Sequence, residues 1–296
     1  MDIGLVLPHT GPTSSPTFIR DFAQTAEATG ISRLWAVDHL VLPHHVDSAY
    51  VLGSKPSKVA DGWLSDNLAP NYEMVSTLAW VAGQTTTIGL GTSISVLTLR
   101  NPLLNARQLA TLDVLSGGRL SYGVGIGWMR EEAAAMGIPW HRRAARSEEH
   151  IELLRVLWTA PGRQVEFHGE FYDFAPIDPE PRPLQRPIPI LIGGHSTAAL
   201  DRAARIGDGW ISAPMPATRL AGLLNELRRL AEEHGRPYSA LIKVASTKFD
   251  TTSSFAKAVD SYRDLGVDHL QVVLTGNDAQ AMISNVQEIA ALTPHG

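Results

Sequence analysis

The pair Asp38-His39 carries the clearest chemical potential in the chain: it leaves an apolar run, Leu34-Trp35-Ala36-Val37, and enters a long polar stretch. An imidazole beside a carboxylate titrates near neutrality and suits a general acid or base, or a donor to a cofactor carbonyl. The plainer alternative is an aspartate capping the following loop beside an exposed histidine. Two glycine-rich segments offer a second chemistry. Gly123-Val124-Gly125-Ile126-Gly127-Trp128 runs into the helix-forming Arg130-Glu131-Glu132, and Ile192-Gly193-Gly194-His195-Ser196-Thr197 opens another helix. Unobstructed amides ahead of a helix N-terminus suit phosphate, and Ser196 or Thr197 can cap the second helix. Either cluster alone also reads as a tight turn; two together favour a phosphorylated ligand. A third run ends Gly91-Thr92-Ser93-Ile94-Ser95-Val96, whose small residues leave room for a flat ring or simply end a strand.

These residues need a scaffold that brings them to one place. Apolar β-type runs at 3–7, 33–37, 88–94, 120–124, 188–192, 209–212, 241–245 and 269–274 alternate with amphipathic stretches. The latter lie at 17–29, 72–84, 103–115, 146–157, 197–206, 217–234, 255–265 and 278–292. Strands with little polar alternation are buried on both faces, as in a parallel sheet. Eight strand–helix units at this length predict an α/β fold, a closed (β/α)8 TIM barrel over 1–296 as one domain. Glycines in Ser116-Gly117-Gly118, Ile206-Gly207-Asp208 and Leu265-Gly266 punctuate helix ends. Two segments break the period: 44–71, which includes Gly53, Pro56, Gly62 and Pro70, and 167–186, which opens on a hairpin at 166–172. Such insertions belong at the C-terminal mouth of a barrel, where ligands bind.

Composition narrows the chemistry. The chain has 296 residues, 44% hydrophobic and 19% charged, with formal net charge −5, so nothing favours nucleic acid or an anionic membrane. Cysteine is absent, which removes disulfides, thiolate metal sites and cysteine nucleophiles, and leaves any redox step to a cofactor. The sequence shows neither a membrane-spanning run nor a secretory signal, so a cytoplasmic location is expected. No metal cluster is expected: His44-His45 are adjacent, with no acidic partner fixed nearby by the sequence, and read as a solvated loop pair.

Taken together, several motifs resemble the luciferase-like flavin-dependent monooxygenases, within them the coenzyme F420-dependent branch. They are 35–39, Thr87-Ile88-Gly89-Leu90-Gly91-Thr92 leading to Arg100-Asn101-Pro102, Gln108-Leu109-Ala110-Thr111-Leu112-Asp113, Ser116-Gly117-Gly118-Arg119, Gly123 to Glu132, Ile192 to Ser196 and Gly207 to Trp210. The resemblance implies a (β/α)8 barrel, often a homodimer, with the cofactor ring at the C-terminal mouth against a bulge in the third strand. That bulge commonly holds a non-proline cis peptide, here Ser93–Ile94. It implies that Asp38 and His39 are the ring-proximal polar pair, and that Gly125, Ile126, Gly127, Trp128 and Gly193, Gly194, His195, Ser196 contact the phosphate. In the sugar-phosphate dehydrogenases of this branch a carboxylate stands where this chain has Trp128, so that substrate class is not expected and an apolar pocket wall is.

The expected activity is hydride transfer between coenzyme F420 and a small organic substrate, with His39, oriented by Asp38, handling the proton. The first alternative keeps the fold and uses FMN as a monooxygenase. The second is a non-redox hydrolase or lyase acting on a phosphorylated substrate. The deazaflavin's anionic tail would favour basic residues at the mouth, for which Arg130, Arg142, Arg143 and Arg146 are candidates.

Overall fold

Apolar runs without polar alternation must be covered on both faces, and a ring of strands inside a ring of helices does this. The structure, a computed structural model, describes residues 1–50, 57–276 and 278–292. Its strands are β1 (Asp2–Val6), β2 (Arg33–Ala36), β3 (Gly89–Thr92), the two-residue β4 (Ser95–Val96), β5 (Leu120–Gly125), β6 (Val165–His168), β7 (Asp173–Ile177), β8 (Ile190–Gly193), β9 (Gly209–Pro214), β10 (Ile242–Phe249) and β11 (His269–Leu274). The helices are α1 (Pro16–Ala28), α2 (Trp63–Leu68), α3 (Met74–Ala82), α4 (Pro102–Ser116), α5 (Arg130–Ala135), α6 (Arg143–Thr159), α7 (Thr197–Ile206), α8 (Ala217–Glu233), α9 (Thr252–Asp264) and α10 (Ala279–Leu292).

Pairing is parallel in the order β3-β2-β1-β11-β10-β9-β8-β5, and a β3–β5 pairing closes the ring. The eight expected runs are thus the eight barrel strands of a luciferase-like TIM barrel. β4 re-pairs with the C-terminal end of β5, Ser95 opposite Val124, so the chain steps off the ring at residues 93 and 94 and returns. The antiparallel β6–β7 pair lies outside the barrel, as expected for the second insertion. The first insertion holds α2; Gly53 and Pro56 fall outside the described residues.

Sequence explains the punctuation only in part. Pro102 starts α4 behind an Asn101 cap, and Gly117 ends it at φ +71°, as its position predicts. Gly207, expected to do the same for α7, is extended (φ −80°, ψ 157°). It is glycine because a Cβ there would lie 2.9 Å from Ala203 O, Gly209 O and Ile192 Cγ1. His45, read as free of acidic partners, sits 2.7 Å from Asp61 and 3.3 Å from Asp47 on the surface.

The barrel interior is filled by Trp35, Leu191, Ile211 and Val244, with Ile94 and Ile242 packed against them. The indole fits because its neighbours lack side chains. A Cβ on Gly91 would approach Trp35 Cε3 to 2.4 Å, and one on Gly4 would approach Nε1 to 2.6 Å. The larger core lies between the outer faces of the strands and the helices. The first insertion adds a small core of its own, Val46, Leu64 and Met129, flanked by Trp63 and Trp128.

One buried ion pair fixes the upper rim. Asp38, just past β2, accepts Nη1 and Nη2 of Arg100, the latter at 2.8 Å, and the Val96 N–H of β4 at 2.8 Å. The two side chains are 1% and 7% exposed. Burial disfavours the guanidinium charge, and the charge and hydrogen bonds of Asp38 more than restore it. Arg100 also reaches Glu73, the N-cap of α3, at 3.4 Å. Removing one member leaves the other buried without its charge partner, which costs about 3–5 kcal/mol in such settings. Because Glu73 remains near Arg100, the lower end applies. Asp38→Asn is therefore expected to lose about 3 kcal/mol in urea unfolding, and a loss below about 1 kcal/mol would show that the pair does not hold the rim.

Candidate functional site

Four neighbouring strands of the ring, β2, β3, β5 and β8, end at the expected site residues. At the end of β2 the two candidates part company. Asp38 turns to Arg100 and Val96, while His39 places Nδ1 3.1 Å from Glu132 Oε2 on α5. The expected orientation of His39 by Asp38 is thus corrected: consecutive residues of an extended chain face opposite ways, and Glu132 is the carboxylate behind the imidazole. Glu132 is 3% exposed, and its other oxygen accepts the Leu40 N–H at 2.7 Å and the Val41 N–H at 3.4 Å. A carboxylate acceptor puts the neutral ring's proton on Nδ1 and leaves Nε2, which has no protein partner among the described residues, as the nitrogen able to accept a proton. Asn71 steadies the same residue, donating Nδ2–H to the His39 carbonyl at 2.7 Å.

At the end of β3, the peptide between Ser93 and Ile94 is cis, as the resemblance implies. Ser93 Oγ donates to Gln271 Oε1 on β11 at 2.8 Å. Ile94 occupies space that two glycines leave open, and a third makes room for the Thr92 carbonyl. A Cβ on Gly125 would fall 2.0 Å from Ile94 Cδ1, one on Gly193 2.9 Å from Ile94 Cγ2, and one on Gly123 2.1 Å from Thr92 O. The glycines of the two clusters were read as leaving amides bare for phosphate. Gly125 and Gly193 instead seat the Ile94 side chain, which becomes an apolar step at the mouth.

Beyond β5, Ile126 and Gly127 lead to Trp128, whose ring stands edge-on to His39 with centroids 6.4 Å apart. Tyr50 packs edge-on to Trp128 at 5.3 Å and tilts against Trp63 at 6.0 Å, so three aromatic rings wall the space beside the imidazole. Burial pushes the Tyr50 hydroxyl up, keeping it neutral. Beyond β8, Gly194 has φ +122°, and a Cβ there would meet the Ala199 methyl at 2.8 Å. Ser196 caps α7 by accepting the Ala199 N–H at 3.2 Å. His195 turns back toward β9, accepting the Ala213 N–H on Nε2 at 3.0 Å. Burial and then the charge of Arg219 push its imidazole down, consistent with a neutral acceptor.

Of the four basic residues offered for an anionic tail, Arg130 is exposed, while the other three already have partners. Arg142 pairs with Glu170, Arg142 and Arg146 flank the Phe171 ring at 4.9 and 5.2 Å, and Arg143 lies over Trp140 at 4.0 Å. They brace the second insertion against α6. The acids that sequence reading took as mere helix formers anchor the first. Glu131 accepts the Asp47 and Ser48 N–H groups at 3.0 and 3.1 Å, beside the bonds of Glu132 to residues 40 and 41. Their signal was weak: adjacent carboxylates in the first turn of a helix suit the helix dipole wherever they occur.

The profile of the luciferase-like monooxygenase family matches residues 1–291. The F420-dependent glucose-6-phosphate dehydrogenase of Kineococcus radiotolerans is 32% identical over 254 residues, 84% of this chain and 68% of that one. The FMNH2-dependent dimethylsulfone monooxygenase of Pseudomonas putida is 39% identical over 139 residues, 46% of this chain and 38% of that one. A solved F420-dependent secondary alcohol dehydrogenase, bound to an F420–acetone adduct, superposes with TM-score 0.78 at 16% identity, covering 99% of this chain and 98% of that one. Barrel, cis step and matched profile agree: the chain belongs to the luciferase-like monooxygenase family, a family of oxidoreductases.

Proposed function

We propose that this chain, one domain over 1–296, is a coenzyme F420-dependent oxidoreductase exchanging hydride with a small organic substrate. The observation that carries the reading is His39, backed by the buried carboxylate of Glu132 at the end of β2, the strand next to the β3 end that carries the Ile94 step. A planar ring needs an apolar seat, and Ile94, set among glycines, supplies one. The α7 N-terminus, with Gly194 and Ser196 before it, suits the cofactor's phosphate. The F420-dependent relative also matches far more of the chain than the FMN-dependent one does.

When bound, the deazaflavin supplies or accepts the hydride. The accompanying proton falls to the protein: protonated His39 gives it from Nε2 to the substrate oxygen, and neutral His39 takes it back in the reverse direction. Glu132 holds the ring in place through Nδ1. Trp128, Tyr50 and Trp63 exclude water and favour an uncharged, apolar substrate over a sugar phosphate. FMN-dependent monooxygenation remains the second reading, favoured by the 39% identity to the dimethylsulfone enzyme.

Parallel titration with coenzyme F420 and FMN, followed by tryptophan fluorescence, tests the cofactor. Selective quenching by F420 is expected; selective FMN binding would move the protein to the second reading, and binding of neither would end the redox proposal. His39→Ala is expected to bind F420 normally and to lose about 10²-fold or more in kcat. Glu132→Gln is expected to lower kcat by about 10²-fold and displace the pH profile of kcat, with KM changed far less. Unchanged turnover in either variant would remove the proton role from that pair. The exposed Leu104, Val114 and Leu115 of α4 and Trp80 of α3 suit a homodimer; sedimentation showing only a monomer at micromolar concentration would reject that assembly.

A further inference from the structure

The other end of the barrel holds a cavity of about 330 Å³ between the N-terminal ends of the strands and the loops below them. It is roofed by Trp35 and lined by Arg33, Arg119, Ser121, Gln185 and His269 among others, with no carboxylate in the lining. Two guanidinium groups therefore meet there. Neither has a carboxylate within ion-pair distance among the described residues.

The two arginines differ in what they have left to give. Arg119 spends all five N–H bonds on the surrounding chain: Nε on Ser116 O, Nη1 on Thr85 Oγ1 and Ile88 O, Nη2 on Ala82 O and Thr85 O. It contributes charge alone. Arg33 uses only Nη1, on Leu90 O and Arg119 O at 2.9 and 3.2 Å, and its Nε and Nη2 find no partner. Its guanidinium lies against Gly89, where a Cβ would come within 2.9 Å of Cζ, and 5.5 Å from the Trp35 ring centroid.

Other donors in the lining are also idle. Trp35 Nε1 and His269 Nδ1 are buried without a hydrogen-bond partner, and the Ser121 hydroxyl has none. Asp2, on the exposed start of β1, lies 3.5 Å from His269 Nδ1, and Glu27 and Asp113 bond the lining residues Thr87 and Gln185. Burial pushes the Arg33 guanidinium down to about 10, against the weaker opposing pull of Asp2, and burial followed by the charge of Arg33 pushes the His269 imidazole down. Arg33 is half-buried, and a guanidinium edge left without acceptors beside a cavity matches two oxygens of one oxyanion.

We propose that this cavity binds a small oxyanion, held by the free edge of Arg33 with Ser121 and His269 beside it. Trp35 separates the anion from the mouth, so the site is distinct from the one that would hold a cofactor phosphate near Ser196. Occupancy stabilises the folded barrel in proportion to the logarithm of ligand over Kd.

Calorimetric titration of the apo-protein with inorganic phosphate, sulfate and acetate, at ionic strength held constant with sodium chloride, tests the proposal. One oxyanion per chain is expected to bind in the wild type and in Ser196→Ala. Affinity is expected to fall about tenfold or more in Arg33→Met, which removes the charged edge, and in Ser121→Ile, which keeps the charge and fills the space. Comparing phosphate with acetate identifies whether phosphate or carboxylate ligands are the better fit. Two results would overturn the site: no oxyanion uptake above the chloride background, or uptake that Ser121→Ile and every folded Arg33 variant leave unchanged.

Discussion

The site depends on a carboxylate that does no chemistry. Asp38 is wholly buried and gathers a guanidinium and a strand amide onto one spot. In a low-dielectric rim those bonds are worth keeping together only if all are made. They join the exit of β2 to β4 and, through Arg100 and Glu73, to the start of α3. That junction fixes where the chain leaves β2, and so where the backbone of His39 sits. It also fixes how β4 returns to the ring, and so where Ile94 stands.

On this frame His39 is oriented from another direction. Glu132 arrives from α5, 93 residues away in sequence, and binds the imidazole and the next two amides at once. Its neighbour Glu131 binds two more amides a few residues on. The first turn of one short helix therefore holds the histidine and the loop that follows it, and carries Trp128 immediately before it. His39, the aromatic wall and the insertion are coupled through the five residues from Trp128 to Glu132.

The barrel was legible in the sequence because fully buried parallel strands have a simple signature: the eight unalternating runs are the eight strands of the ring. The site was legible as a set of places but less so as a set of interactions. His39, Ile94, Trp128 and Ser196 lie at the mouth ends of neighbouring strands, as their positions after apolar runs predict. The partnership of Asp38 with His39 failed because adjacency along an extended chain separates side chains. The glycines of the segments 123–128 and 192–197 were assigned to a ligand, yet a missing Cβ at Gly125 or Gly193 accommodates whichever neighbour approaches, here Ile94. Which neighbour that is depends on contacts across the ring, and local sequence does not encode them.

Trp35 has a consequence for how this barrel can change. Its indole fills the interior between Gly4 and Gly91 and lines the cavity at the N-terminal ends of the strands. Residues lining that cavity can be exchanged without repacking the mouth, so long as the indole and the two glycines stay. The closed end of the fold is then free to diverge on its own, acquiring or losing a ligand while the reactive end keeps its geometry.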